Sequence, residues 1–192
     1  MEIVLFLAHT DADGTLGTSA LETLGAAGAL VAGLTGSQLV AGLVGANVQP
    51  AANQIANCHA ARILGVSGAE FGQSRYSTDA SATAAIAKKS GATIIIAPAG
   101  SRWNRALAGV AHRLGGRIDT HVTGFAATDG KPAITRWYYR QRMEGVAHRT
   151  ARPWIVLLES GCAEAWTGAA GTATVEPVAV ARRHAGHAEA AA

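Results

Sequence analysis

A short loop of glycine, serine and arginine offers the clearest opportunity for chemistry in this sequence. It spans residues 98–102 (Pro-Ala-Gly-Ser-Arg), follows an apolar run and precedes a predicted helix. Backbone N–H groups and the helix dipole at such a position favour an anion, and neighbouring arginines would add positive charge. The residues predicted to hold a phosphate or nucleotide are Gly100, Ser101, Arg102 and Arg105.

The same loop has a simpler interpretation, in which Ser101 caps an ordinary helix and the arginines stay in solvent. Two phosphate-binding motifs are missing from the sequence: G-x-G-x-x-G and G-x-x-x-x-G-K-[ST]. Their absence argues against a dinucleotide-dependent dehydrogenase and against a P-loop enzyme. An anion loop and an ordinary helix start both remain open at this stage.

A second group of reactive side chains follows the first apolar run, where His9, Asp11 and Asp13 share one turn. An imidazole and two carboxylates could bind a metal or exchange protons. Because no further ligands can be identified elsewhere in the sequence, a solvated turn is the favoured interpretation and no metal site is predicted.

A basic and aromatic stretch lies in the second half of the chain, with two more arginines following at Arg149 and Arg152. Tyrosine, tryptophan and arginine are enriched in protein interfaces, so a protein partner is the first interpretation. A core-plus-edge strand is the second, and stacking on nucleic acid is the third. The predicted interface residues are Arg136, Trp137, Tyr139, Arg140 and Arg142.

The composition is that of a folded, mildly basic chain. Its 192 residues are 49% hydrophobic and 15% charged, with a net charge of +3, which excludes a disordered charged chain and does not by itself indicate nucleic acid. Cys58 and Cys162 are far apart without a Cys-x-x-Cys, so neither a disulfide framework nor a zinc site is predicted. The apolar runs are too short for a membrane span or a signal peptide, and we expect a cytoplasmic protein.

Strands and helices that alternate must position these residues. The predicted fold is α/β, with an open, mostly parallel sheet between two helical layers in the manner of Rossmann-like and adenine-nucleotide-hydrolase-like domains. Ligands in such sheets bind at the carboxyl ends of the strands. The predicted strands are Ile3–Ala8, Leu39–Val44, Arg62–Val66 and Ala92–Ala97, and the predicted helices are Ser19–Val31, Pro50–His59, Ser77–Lys89 (with Ser77, Thr78 or Asp79 as its cap and Gly91 as its stop) and Arg102–Leu114.

Later segments predict strands without helices between them, which should extend or edge the sheet, with room for an antiparallel member. These strands are Asp119–Ala126, Ala133–Arg140 and Trp154–Glu159. From about Gly161 the sequence becomes rich in glycine, alanine and threonine. We therefore predict one domain over residues 1–160 and a linker or frayed tail over residues 161–192.

Several segments together resemble one known family. They are Gly14-Thr15-Leu16 and Ala20–Leu24 with Ala26, Ala27 and Leu30, after a strand that ends Leu7-Ala8-His9; Ala97-Pro98-Ala99 with Leu107, Val110, Ala111, Leu114 and Ile118-Asp119-Thr120; and Thr135-Arg136 with Pro153–Val156. In this order and at these spacings they resemble the alpha subunit of electron transfer flavoprotein over about residues 3–160. The chain departs from that family at Ala108-Gly109, usually Pro-Arg, and at Arg140-Gln141-Arg142, usually a small Gly/Asn stretch.

The resemblance implies a scaffold and interface domain that makes no bonds itself. It implies a heterodimer with a beta-type subunit, in which FAD carries electrons from dehydrogenases to an acceptor. The family's C-terminal flavin-binding segments have no counterpart in these 192 residues, so little FAD is expected on this chain alone, and a separate FAD-domain chain is a further implied partner. The alternative is a stand-alone domain of the same fold that binds AMP or ATP at the Gly100 loop.

Overall fold

Strands and helices alternate through residues 1–181, the part of the chain that the computed structural model describes. The strands are β1 (Ile3–His9), β2 (Gln38–Gly45), β3 (Arg62–Ser67), β4 (Ile94–Pro98), β5 (Arg117–Thr128), β6 (Lys131–Tyr138), β7 (Met143–Ala147), β8 (Trp154–Leu158) and β9 (Glu176–Pro177). The helices are α1 (Thr18–Gly33), α2 (Gln49–Gln54), α3 (Tyr76–Ser90) and α4 (Ser101–Leu114), with a 3-10 turn at Ala69–Phe71.

Within these residues the strands form one sheet in the order β7-β6-β5-β8-β4-β1-β2-β3-β9. The strands from β5 to β9 in that order run parallel, whereas β6 and β7 are antiparallel to their neighbours. The predicted three-layer α/β/α fold is therefore confirmed, and so is the prediction that the late strands extend the sheet.

Each central strand divides its side chains between two apolar layers. In β1, Val4 and Phe6 belong to the layer that contains α1 and α2, whereas Leu5 and Leu7 belong to the layer that contains α3 and α4. All four are fully buried, as expected for a parallel strand covered on both faces. The continuous apolar run at the start of the sequence is explained by this double burial.

A glycine in β2 lets a helix lie close to the sheet. A methyl group at Gly42 would lie 2.8 Å from a side-chain carbon of Ile86 in α3 and 3.0 Å from one of Leu5. Carbon atoms do not pack at such distances, so only glycine fits beneath α3 at this position. The residue that weakens the strand pattern in the sequence is thus required by the packing.

The boundaries of α3 correct one prediction. The helix begins at Tyr76 after an extended Arg75, so Ser77, Thr78 and Asp79 lie inside it and do not cap it. Asp79 is instead fully buried against α4. The predicted stop is confirmed, because Gly91 has a left-handed φ of +67° and follows the last helical residue.

Helix α2 ends at Gln54, five residues before the predicted end at His59. The chain continues in turns, and later residues bind the end of the helix: the backbone carbonyl of Asn53 accepts from the N–H of Gly171 at 2.9 Å, and its side-chain oxygen accepts from the N–H of Ala173 at 3.1 Å. Contacts distant in sequence therefore hold the C-terminal end of α2.

Residues 161–180 depart from the prediction of a linker or frayed tail, because they lie along the domain. Trp166 donates its backbone N–H to the carbonyl of Leu21 in α1 at 3.0 Å. The short strand β9 pairs with β3, Glu176 forms an ion pair with Arg62 at 2.7 Å, and Val178 is buried. Composition missed this docking because the partners of the segment are distant in sequence, as in the pairing of Glu176 with Arg62. The rest of the predicted tail, residues 182–192, lies outside the described residues.

No helix in residues 1–181 is long and apolar enough to cross a membrane.

Candidate functional site

The carboxyl ends of β1 and β4 meet at the point where the strand order reverses. β1 pairs with β2 on one side and with β4 on the other, so the chain crosses the sheet between β3 and β4. This is the topological switch point at which open α/β sheets bind ligands. It brings together the two loops that the sequence singled out, because the ring of His9 lies 5.8 Å from that of Trp103 in α4, centroid to centroid.

The Gly100 loop begins α4 without a side-chain cap from the described residues. Ser101 is the first helical residue, so it does not cap the helix as the simpler interpretation expected. Gly100 stands in the capping position, and its own N–H donates to the carbonyl of Pro98 at 2.8 Å. The N–H groups of the first turn of α4 are the remaining donors that an anion could use here.

The two arginines of the predicted anion loop bind other parts of the chain. Arg102 is 5% exposed, and its Nη2 donates at 2.6 Å both to Asp79 and to the carbonyl of Phe71. Arg105 is exposed and donates to the hydroxyl of Ser74. Arg102 therefore joins α4 to α3 inside the protein, since its guanidinium balances a fully buried carboxylate.

In the turn that follows β1, the His9 side chain is uncharged and the Asp13 carboxylate is held by local hydrogen bonds. Burial lowers the pKa of His9, and the charge of Arg102 lowers it further against the opposing effect of Asp11, so this imidazole is neutral at pH 7. Asp13 accepts hydrogen bonds from the backbone and hydroxyl of Thr15 at 2.9 and 2.7 Å. Among residues 1–181, no group of three or more histidine, cysteine or acidic side chains is arranged to hold a metal ion.

Both cysteines are free thiols. Burial raises the pKa of Cys58, and burial together with the nearby carboxylate of Glu159 raises the pKa of Cys162. Because the thiolate is the reactive form, these shifts make both side chains poor nucleophiles.

The basic and aromatic stretch forms a hairpin, β6–β7, at one edge of the sheet. β6 ends at Tyr138, two residues before the predicted end at Arg140. Tyr139, Arg140 and Gln141 adopt left-handed φ angles of +47°, +56° and +65° and turn the chain into β7. The predicted strand is therefore two residues too long, because the backbone leaves the strand conformation at residue 139.

The predicted interface residues divide into two groups. Tyr139, Arg140 and Arg142 are exposed in the turn of the hairpin, whereas Trp137 and Arg136 are half-buried on β6. Arg136 lies over the ring of Tyr138, 4.8 Å from its centroid, and its Nη1 donates to Asp119 at 2.8 Å. The turn exposes charged and aromatic side chains to solvent, while the half-buried residues of β6 attach the turn to the sheet.

Exposed apolar side chains concentrate on the same hairpin. Of the six large apolar residues exposed within residues 1–181, four lie here: Tyr138, Tyr139, Met143 and Val146. Tyr138 and Met143 are opposite each other in the β6–β7 pairing, and Val146 is 69% exposed on β7. β7 is also the outermost strand, with one side unpaired in the described chain. An exposed edge with apolar side chains is typical of an interaction surface.

A buried carboxylate holds this hairpin against the sheet. Asp119 on β5 accepts hydrogen bonds from Arg136, from both Nε and Nη2 of Arg149, and from the indole N–H of Trp154, all at 2.8–2.9 Å. Burial alone would raise the pKa of Asp119, but the hydrogen bonds from Arg149 and Trp154 and the positive charges outweigh burial and lower it. One ionised side chain thus links three strands and the loop before β8.

Sequence reasoning missed Asp119, Asp79 and the apolar residues of β7. The hydrogen-bond donors that bind Asp119 lie 17, 30 and 35 residues later in the sequence, so no local motif reveals them. In β7, the order Met-Glu-Gly-Val-Ala alternates too weakly to predict a strand.

Comparison with models of protein families shows which family this chain belongs to, a question that the fold and the hairpin alone do not answer. The family model of the electron transfer flavoprotein domain matches residues 4–183. The chain belongs to this family. A comparison with curated proteins gives no match. The resemblance seen in the sequence is therefore confirmed at the level of the electron transfer flavoprotein family, and membership implies a partner subunit.

One arginine of the predicted anion loop, Arg102, does not fit the role of a flavin phosphate ligand in this electron transfer flavoprotein domain. The cation best placed beneath the switch point, Arg102, is buried and paired. A cavity of about 410 Å³ lies at the opposite edge of the sheet, beside Glu2 and Arg152.

Proposed function

We propose that this chain is the scaffold and interface domain of an alpha-type electron transfer flavoprotein subunit. It acts in a heteromer with a beta-type subunit, and the complex carries electrons through FAD from dehydrogenases to an acceptor. The chain's own contribution is to bind its partner and to fix the geometry of the assembly. It makes and breaks no covalent bond.

The observation that carries this proposal is the β6–β7 hairpin of a protein whose family works as paired subunits. It combines an unpaired strand edge with four exposed apolar side chains. Aromatic and arginine side chains are the residues that most often anchor protein interfaces. Three of the residues predicted from sequence, Tyr139, Arg140 and Arg142, lie in this surface.

The hairpin is also prepared for binding before a partner arrives. Asp119 binds Arg136 in β6 and Arg149 just after β7, and so attaches the hairpin to the sheet. A surface that is already ordered loses less conformational entropy on association. The exposed charges of Arg140 and Arg142 favour a partner whose facing surface is acidic.

The proposal places FAD mainly on other polypeptide segments. It is supported by the pairing of Arg102 with Asp79 at 2.6 Å, which removes a cation from the switch point. When bound in the complex, FAD supplies the redox chemistry. Residues of this chain would support the flavin-bearing assembly by holding the partner in place.

The experiment is co-expression with a beta-type subunit, followed by size-exclusion chromatography with an absorbance spectrum. We expect a co-eluting complex with a flavin band near ~450 nm, since bound flavin carries its own chromophore. A colourless monomer would contradict the proposal. If such a monomer is stabilised by AMP or ATP, the stand-alone nucleotide-binding alternative takes its place.

A matched pair of variants tests the hairpin as the interface. Val146→Asp places a charge on the exposed face of β7, and a desolvated charge should weaken the complex at least about tenfold. Ser77→Asp adds the same charge to the exposed first turn of α3, where the helix dipole tolerates it. Co-elution lost in Val146→Asp and retained in Ser77→Asp supports the assignment. Equal behaviour of the two variants would move the interface elsewhere.

A further inference from the structure

A cavity lies at the edge of the sheet where the parallel strands begin. It has a volume of about 410 Å³, is open to solvent on one side, and is lined by Glu2 before β1, Leu34 after α1, the β5–β6 turn at Lys131 and the loop at Arg149 before β8. Its size falls within the range of small-molecule sites, about 300–1,000 Å³. It lies at the end of the β6–β7 hairpin opposite to the turn at residues 139–142, so the proposed interface does not use it.

The side chains around this cavity carry more positive than negative charge. Arg152 pairs with Glu2, which is a neutral combination. Asp119 pairs with both Arg136 and Arg149, so one guanidinium charge is left over. Lys131 has no carboxylate partner within residues 1–181. The wall therefore carries about two uncompensated positive charges.

Arg149 and Lys131 can both reach a ligand. The side chain of Arg149 is 41% exposed, and its Nε and Nη2 atoms are engaged by Asp119 while its Nη1 has no hydrogen-bond partner in the described chain. The guanidinium is thus held in a fixed orientation with a donor to spare. Fixed guanidinium donors match the oxygens of phosphates and carboxylates.

Groups that would repel an anion at this site are satisfied or lie outside it. The C-terminal end of α1 adjoins the cavity, and helix C-termini disfavour negative charge. However, the hydroxyl of Ser37 donates to the carbonyls of Val31 and Leu34 at 3.0 and 2.7 Å. Asp129 is exposed in the β5–β6 turn and does not line the cavity.

We propose that this cavity binds a small organic dianion, a phosphomonoester or a dicarboxylate. Its oxygens contact Lys131 and Arg149, and its carbon atoms rest on Leu34 and Pro132, which line the same cavity. A free inorganic anion would leave this apolar wall unused. The site is separate from the switch point and from the partner surface, so it does not depend on the proposed function.

The test is isothermal titration calorimetry of the whole chain with glycerol 3-phosphate and with succinate. Sodium chloride at equal ionic strength is the control titrant. We expect saturable binding of at least one dianion and none of chloride. Tighter binding of glycerol 3-phosphate would indicate a phosphomonoester ligand, and tighter binding of succinate would indicate a dicarboxylate ligand. If neither dianion binds better than chloride at equal ionic strength, the proposal is overturned.

Two lysine variants assign the binding to this cavity. Lys131→Gln should weaken binding about tenfold, since a hydrogen bond from a charged donor is lost. Lys88→Gln removes the same charge from an exposed position near the end of α3 and should leave binding unchanged. Equal losses in the two variants would show only a general effect of net charge and would remove the site. Far-ultraviolet circular dichroism of both variants checks that each is folded.

Discussion

At the scale of single residues, two buried aspartates organise the molecule. Asp79 joins α3 to α4 through Arg102, and Asp119 joins the hairpin to the sheet through Arg136 and Arg149. Both carboxylates are fully buried, where an unpaired charge would be costly. The arginine that the sequence suggested for an anion is therefore used to neutralise an internal acid, and Arg136 is partly removed from the partner surface.

Asp119→Asn should destabilise the protein by about 3 kcal/mol, because it leaves two partly buried guanidinium groups without their counter-charge. Urea unfolding at pH 7 measures this loss as a lower midpoint with an unchanged slope. Asp129→Asn is the matched control: Asp129 is exposed in the β5–β6 turn with a φ of +50°, a conformation that asparagine also tolerates.

The pH dependence provides a second measure of the same residue. The folded pKa of Asp119 is lowered, so its contribution to stability is complete well above the ordinary aspartate pKa of about 4. The contribution falls as the pH drops through that value and is lost below the folded pKa. Between pH 7 and pH 3, wild type should therefore lose more stability than Asp119→Asn. Parallel pH profiles would contradict this role.

At the scale of elements, the interior of the sheet is predictable and its edges are not. Strands β1 to β4 have largely apolar interiors, as expected of strands covered on both faces, and the sequence shows these runs directly. β7 escapes prediction because its apolar side chains face solvent in the isolated chain, so burial gives it no pattern. The docking of residues 161–180 escapes prediction because glycine and alanine allow backbone contacts that composition cannot distinguish from a linker.

Two glycines in α1 test the docking of residues 161–180. A methyl group at Gly25 would collide with the backbone carbonyl of Glu164, whereas one at Gly28 would meet no described atom within 4 Å. Gly28→Ala should stabilise the protein by about 0.5–1 kcal/mol through helix propensity alone. Gly25→Ala should lose that gain and expose residues 161–180 to limited proteolysis.

The two alanine variants are compared by urea unfolding and by protease cleavage under native conditions. Equal stabilisation of both, with residues 161–180 equally resistant, would show that α1 does not hold this segment.

At the scale of the whole molecule, the two edges of the sheet differ in whether another segment of the chain covers them. The β3 edge is covered by β9, which pairs with it in the same chain. The β7 edge is left open and carries the exposed apolar side chains. An open edge favours association, and membership in the electron transfer flavoprotein family implies a partner subunit. The switch point, by contrast, contains a neutral histidine and a buried ion pair.

Amide hydrogen exchange of the chain, alone and in complex with a beta-type subunit, tests the central claim most directly. The unpaired amides of β7 and those of the turn at residues 139–142 should exchange quickly in the free chain and become protected in the complex. Amides of the Gly100 loop should change much less, which provides an internal control. If the complex forms but protection falls on the switch point or another face instead of the hairpin, the account of this domain as a scaffold that binds its partner through β6–β7 is contradicted.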